Sequence, residues 1–447
     1  MTSEVAILNK TGVAMATDSA VTITLAGEVT KIYVDANKLF ELIKGLPVGI
    51  MIYNGAEVDG YPWETLVKTY RTKACERQTD LCGYMDDFLI FTEEYLLSKE
   101  TADDQSRRLK EAVSLIMVAL LDDAAGQAAG VSGKVARRGY LREMVNETMA
   151  TLEKMDRQEW ASGLDFSELW RTHRSALLAI SPETFLDATI PKADRRALAK
   201  TALLHLLCMN DVPGLSTGLV VAGFGENDAF PSLEHRSVGG LIENRLMVVG
   251  VEREKVDHDR PGIIAPYAQT GEATMFLQGI SPDISWAITS FWKQWSSDLH
   301  KNIATMAAAT FTTSSASEMN DFEKMAKEYV SSSWEAFSHF MNQRFHLERL
   351  QPIEASAAFL SKREIAELAE NLVDLTSLRD RVSINRKETV GGATDVAVIS
   401  KGDGFVWIKR KHYFDSERNP TWAGRQMGNG VVSELTRQSS DRGSENA

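Results

Sequence analysis

Behind Met1 stand Thr2 and Ser3, followed by two short apolar runs, Val5-Ala6-Ile7-Leu8 and Val13-Ala14-Met15-Ala16, with the turn-like Asn9-Lys10-Thr11-Gly12 between them. Runs of this length bounded by turn residues read as two buried antiparallel strands. Such a hairpin returns the chain to its own start and sets Asp18 beside Thr2. Removal of Met1 would leave Thr2 as the first residue. A threonine alcohol holds its proton tightly at neutral pH, but a free α-amine on the same residue, with a pKa of about 8, can serve as its base.

The following segment adds a lysine and a glycine in a definite order. Asn37-Lys38-Leu39-Phe40-Glu41-Leu42 places a base ahead of an apolar strand, and Val48-Gly49-Ile50-Met51-Ile52-Tyr53 is a second strand ending in Asn54-Gly55. With Thr2 and Asp18 sixteen apart, this set resembles the proteasome β-type subunits, a family of N-terminal-nucleophile hydrolases. The resemblance implies that Thr2 is the nucleophile. It makes Lys38, held charged by Asp18, the group that lowers the proton affinity of the hydroxyl. Lys38 arrives about four residues late, which the stretch Thr30-Lys31-Ile32 can absorb, and Lys31 is its rival. Gly55 matches the glycine whose N–H faces an oxyanion, where a side chain would obstruct substrate.

Farther on, Arg379-Asp380-Arg381-Val382-Ser383 resembles the family's aspartate and serine three apart, which implies that Asp380 and Ser383 orient the terminal amine and hydroxyl. Gln269-Thr270-Gly271 resembles, less tightly, a Ser-Gly that also reaches the nucleophile. In the family a pair of glycines follows the serine at once, whereas here Gly391-Gly392 come eight residues later. Anchored on those glycines, the two positions are Lys387 and Val390, which cannot play the same roles. Each residue also has an ordinary reading. Asp18 is then a turn or cap residue, Lys38 an edge-strand lysine and Asp380-x-x-Ser383 a helix end. The order and the kinds of element, taken together, favour the functional reading.

Composition narrows the partners. The net charge of −13 argues against nucleic acid and an anionic membrane surface. No apolar run approaches a membrane span, and Met1 is followed by polar residues rather than a signal peptide's basic and apolar regions. Three cysteines, Cys75, Cys82 and Cys208, suit a reducing cytosol, and none has a metal partner at ligand spacing. The expectation is a cytoplasmic protein with no metal or organic cofactor. Gly223-Phe224-Gly225-Glu226 lacks the third glycine, the lysine and the helix start of a phosphate loop. Asp257-His258-Asp259 reads as solvated loop charge rather than a metal triplet.

At 447 residues the chain has room for two or three domains. The strand pattern stops near Asn54 and resumes near Gly218. Between them Leu109, Ala112, Val113, Ile116, Met117, Leu120 and Leu121 form one helical stripe. Further helices are expected over 62–73, 86–97, 134–155, 166–180 and 192–207, then 284–310 and 321–345. Ser361-Lys362-Arg363-Glu364 is a capping box opening another helix. Strands at 395–399 and 405–408 close the chain as a hairpin.

The fold class the resemblance implies is α+β, a four-layer αββα sandwich. Its core would be 2–75 and 213–433, interrupted by a helical insertion over 76–212, with 434–447 a disordered tail. The implied chemistry is threonine-type hydrolysis of a peptide or small amide, within a possible homo-oligomeric ring. The competing expectation is a scaffold or partner-binding protein that keeps the fold without the chemistry.

Overall fold

The computed structural model describes residues 2–25, 28–33, 35–73, 76–128, 133–210, 214, 216–310, 316–382, 391–412 and 414. Along the chain, strands β1 (Ser3–Asn9), β2 (Gly12–Thr17), β3 (Val21–Leu25), β4 (Glu28–Tyr33), β5 (Leu39–Glu41) and β6 (Val48–Tyr53) come first. Two-residue strands β7 (Glu57–Val58) and β8 (Tyr61–Pro62) lead into helices α1 (Trp63–Lys73), α2 (Leu81–Leu97), α3 (Ala102–Gln127), α4 (Lys134–Leu152) and α5 (Phe166–Ile180). Then follow β9 (Thr184–Phe185), β10 (Ala188–Thr189), α6 (Lys192–Cys208), β11 (Thr217–Gly223), β12 (Ser232–Ile242), β13 (Arg245–Lys255) and β14 (Gly262–Ala268). The last part holds α7 (Gly271–Gln278), α8 (Pro282–Thr310), α9 (Ala316–Phe345), α10 (Gln351–Ala357), α11 (Lys362–Val382), β15 (Asp395–Ser400) and β16 (Gly404–Lys409).

The chain divides into two compact units, one formed by residues 1–34 and 256–397 and the other by 35–255 and 398–447. In the first unit the sheet runs β14-β1-β2-β15, with β1 antiparallel to both of its neighbours. Register pairs Ser3 with Ala268 on one side and Glu4 with Thr17 on the other. Every residue of β1 and β2 is buried, and α11 packs across both strands with Ile365, Ala369, Leu372 and Val373 buried. The expected capping box is formed: the Glu364 N–H donates to Ser361 Oγ at 3.3 Å, and the Ser361 N–H to Glu364 Oε2 at 2.8 Å. Asn9, at the end of β1, donates to the carbonyls of Ala357 and Leu360, so the strand and the entry to α11 are fixed to one another.

The second unit holds the antiparallel sheet β13-β12-β11-β6-β5. Alternation in β6 and β11 sends Ile50, Ile52, Leu219 and Val221 into a core shared with Trp63, Leu66, Tyr84 and Phe88 of α1 and α2. The stripe read on α3 faces a different core. Leu109, Val113, Ile116 and Met117 pack with Leu198, Leu203 and Leu207 of α6, and with Met247 and Val249 of β13. Helix α2 thus packs in the core shared with α1, while α3–α6 build a second core together with β12 and β13. Among the described residues, no helix is long and apolar enough to cross a membrane.

Candidate active site

In the first unit the β1–β2 hairpin brings residues 2, 3 and 18 together. The Asp18 N–H donates to the Ser3 carbonyl at 3.1 Å, and the Ser3 N–H donates back to Asp18 Oδ1 at 3.2 Å. Asp18 Oδ2 accepts the N–H of Gly391 at 3.1 Å and of Ala20 at 3.3 Å. The carboxylate is 1% exposed, and these three backbone donors replace the water that burial removes. Ser19 secures the same loop. Its N–H donates to the Gly391 carbonyl at 3.1 Å, and its hydroxyl donates to the Ala393 carbonyl. Gly392 takes φ 81°, a conformation that favours glycine.

Thr2 is buried, and its carbonyl accepts the Gln269 N–H at 2.8 Å. The segment Gln269-Thr270-Gly271 therefore reaches Thr2 through main chain. Thr270 caps α7 without a side-chain hydrogen bond. Asp380 lies two residues before the end of α11 and is buried. Its neighbour Arg379 pairs with the buried Glu272 in the first turn of α7, which ties the two helices. Ser383, Lys387 and Val390 lie outside the described residues, as does Met1.

The second unit carries the other two expected residues. Lys38 is buried immediately before β5, and its carbonyl accepts the Ile52 N–H at 3.0 Å, which extends the β5–β6 pairing by one residue. Its rival Lys31 lies on β4, with its backbone opposite Ile23. Gly55 follows β6. A Cβ at Gly55 would collide with Thr217 Oγ1, so close approach to that side chain requires the glycine. The Gly55 N–H donates to the Tyr53 carbonyl at 3.0 Å across Asn54, whose φ is 68°. This three-residue hydrogen bond over a positive-φ residue is a γ-turn of the rare, strained hand. The donor expected to face an oxyanion is thus engaged within its own turn.

Nearby in the same unit, Tyr53 Oη lies 2.7 Å from His235 Nε2 with the two rings stacked. Burial pushes the His235 pKa below its usual value, and Glu252 offsets this in part. Among the described residues, no three His, Cys, Asp or Glu side chains gather where they could hold a metal ion.

Two positions beside this cluster were not read from the sequence. Glu4 is fully buried on β1, two residues from Thr2 and opposite Thr17 and Tyr267. A carboxyl directly before the apolar run Val5–Leu8 is the signal that could have marked it. Gly391 lies 373 residues from Asp18, and only the displaced glycine pair hinted at its place.

No protein-family model and no curated protein sequence matches this chain. Among solved structures, it is similar to the Anbu (Gly-1) mutant from Hyphomicrobium sp. strain MC1, at 11% identity over 97% of each chain and a TM-score of 0.28. A likeness this distant assigns neither a fold nor an activity.

Proposed function

We propose that this chain is a threonine-type amide hydrolase of the N-terminal-nucleophile kind, with a proteasome-like four-layer sandwich interrupted by the helical region. The observation that carries the reading is the cage around Asp18. Its carboxylate takes the Ser3 N–H and the Gly391 N–H, so an aspartate and a glycine loop converge on the strand start that bears Thr2.

In the proposed reaction, with Met1 removed, Thr2 Oγ1 attacks the carbonyl carbon of a peptide or small amide. Its proton passes to its own α-amine, directly or through water, and then to the leaving amine. The tetrahedral oxyanion takes the Gly55 N–H, which must first leave the Tyr53 carbonyl. The strain at Asn54 lowers the cost of that exchange. Lys38 tunes the hydroxyl, and Asp380 and Ser383 orient the amine. Water then cleaves the ester to release the acid and restore Thr2. One oxyanion donor of this type supplies about 3–4 kcal/mol of transition-state stabilisation. No metal or organic cofactor takes part in this scheme, and assembly into a homo-oligomeric ring would enclose the site.

A second reading, a non-catalytic scaffold of the same fold, draws on the Gly55 N–H being already occupied. Intact mass before and after a peptide epoxyketone, with Thr2→Ala as control, separates the two. Loss of one methionine and a single adduct absent from the variant supports the hydrolase. Retention of Met1 with no adduct sinks it, because an acylated amine cannot act as the base.

A further inference from the structure

Helices α8 and α9 form an antiparallel pair held by an aromatic seam, in which Trp292 stacks on Trp334 with ring centroids 5.1 Å apart. Trp295 and Phe337 extend that seam at the edges. The pair packs chiefly on itself and, at its base, against α7, with α9 running on into a π-helical turn at His346–Leu350. Across 282–345, among the residues whose side-chain burial is described, only Ala307 and Val330 are buried. Two helices of 29 and 30 residues draw most of their stability from packing an apolar face rather than from propensity. Among the described residues of the first unit, no layer covers most of that face.

The uncovered residues fall into two stripes. On α8, Ile284, Ile288, Phe291 and Trp295 recur at helical spacing and are exposed, Phe291 by 67%. On α9, Met325, Tyr329, Phe337 and Phe340 do the same, Tyr329 by 74%. With ~150–250 Å² on each aromatic side chain, the exposed parts of the five aromatics amount to roughly 400–700 Å² per copy before Ile284, Ile288 and Met325 are added, against ~800 Å² per partner in a standard interface and ~300–600 Å² for the largest patch on a typical monomer.

Hydroxyls along these faces are turned back onto their own helices. Thr289 donates to the Ser285 carbonyl, and Ser332 and Ser333 both donate to the Tyr329 carbonyl. Covering the stripes therefore strands few polar groups. Charge points the same way. The chain as a whole carries −13, but 282–345 holds seven acids and five bases, so two such faces meet with little repulsion.

We infer that the α8–α9 hairpin pairs with the α8–α9 hairpin of a second copy of this chain, the four helices closing an intermolecular bundle. A two-helix hairpin with a half-covered seam is half of such a bundle, and a two-fold pairing of one patch on itself completes it. The inference stands on the helices alone and holds whether or not Thr2 is a nucleophile.

The test is sedimentation velocity of the full chain over about a hundredfold range of concentration, since association follows protomer concentration. The wild type is expected to run as two copies or an even multiple. Phe291→Glu with Tyr329→Glu should halve that mass while leaving the far-ultraviolet circular dichroism unchanged. Hydrogen exchange of the wild type supplies a readout free of variants, with amides of α8 and α9 becoming more protected as concentration rises. A wild type that stays at single-chain mass overturns the inference, and sedimentation of that monomer with lipid vesicles would give the face to a membrane instead. A folded variant that keeps the wild-type mass, or exchange in α8 and α9 that ignores concentration, overturns it equally.

Discussion

Asp18 Oδ1 accepts the Ser3 N–H at 3.2 Å while the Asp18 N–H reaches the Ser3 carbonyl at 3.1 Å, so the two residues are bound reciprocally through side chain and main chain. Gly391 and Ala20 donate to the other carboxylate oxygen. Asp18→Asn puts an amide donor where an N–H already points. Leaving buried donors unsatisfied typically costs about 1–3 kcal/mol each. We expect Asp18→Asn to destabilise the chain by about 2 kcal/mol, read as a lower urea midpoint, and to slow adduct formation at Thr2. An unchanged midpoint would show that the three donors do not depend on this carboxylate.

Gly55 has a steric test independent of catalysis. Its missing Cβ is what admits Thr217 Oγ1, which itself donates to the Gly55 carbonyl at 3.4 Å. Gly55→Ala should cost about 1–3 kcal/mol, as overpacking does. Adding Thr217→Ala removes the clashing oxygen, and most of the loss should return in the double variant. A double variant no more stable than Gly55→Ala would place the cost elsewhere, at the Asn54 turn.

Much of this arrangement was legible, and what was missed has physical causes. The β1–β2 hairpin announced itself because both strands are buried on both faces and read as unbroken apolar runs. Helix α5 has the bounds its pattern predicted, 166–180, and its Asp165 cap accepts the Ser167 N–H. Strand β14 was not read, because Pro266 interrupts Ile263-Ile264-Ala265. It lies at a sheet edge, where proline is tolerated. The contact between Asp18 and Gly391 joins residues too distant for any local pattern to show. The Gly55 hydrogen bond to Tyr53 is a matter of one backbone dihedral, which sequence does not display.

Cys82 should be a poor thiol nucleophile. Burial raises its pKa, and a hydrogen bond to Glu234 together with that carboxylate's charge adds to the effect, while Arg253 opposes it; the thiol is pushed up to about 11. Glu234 is itself fully buried and paired with Arg236 and Arg253. The thiolate is the reacting form, so alkylation by iodoacetamide at pH 8 should be about a hundredfold slower at Cys82 than at an unperturbed thiol. Peptide mapping of the labelled chain measures this directly, and rapid labelling of Cys82 would contradict the burial.

Asp59 makes the stability of the second unit depend on pH. It accepts the Leu241 N–H at 2.9 Å and pairs with Arg108, whose guanidinium also donates to the Leu241 carbonyl and faces Glu100. A Cβ on Gly240 would strike Asp59 Oδ1, so the carboxyl fills its site completely. Burial is the largest influence and outweighs the backbone donor and Arg108, so the pKa rises from 3.8 to about 6. A carboxyl that binds its proton more tightly when folded stabilises the fold most below the unfolded value of ~3.9, and that contribution is lost as pH rises through about 6. A displacement of about two units corresponds to about 3 kcal/mol. Asp59→Asn keeps the shape without the titration. The stability of the wild type minus that of Asp59→Asn, taken from urea unfolding, should therefore fall by about 2 kcal/mol between pH 4 and pH 6. A difference that stays flat across that window would mean that Arg108 and the Leu241 N–H offset the burial in full.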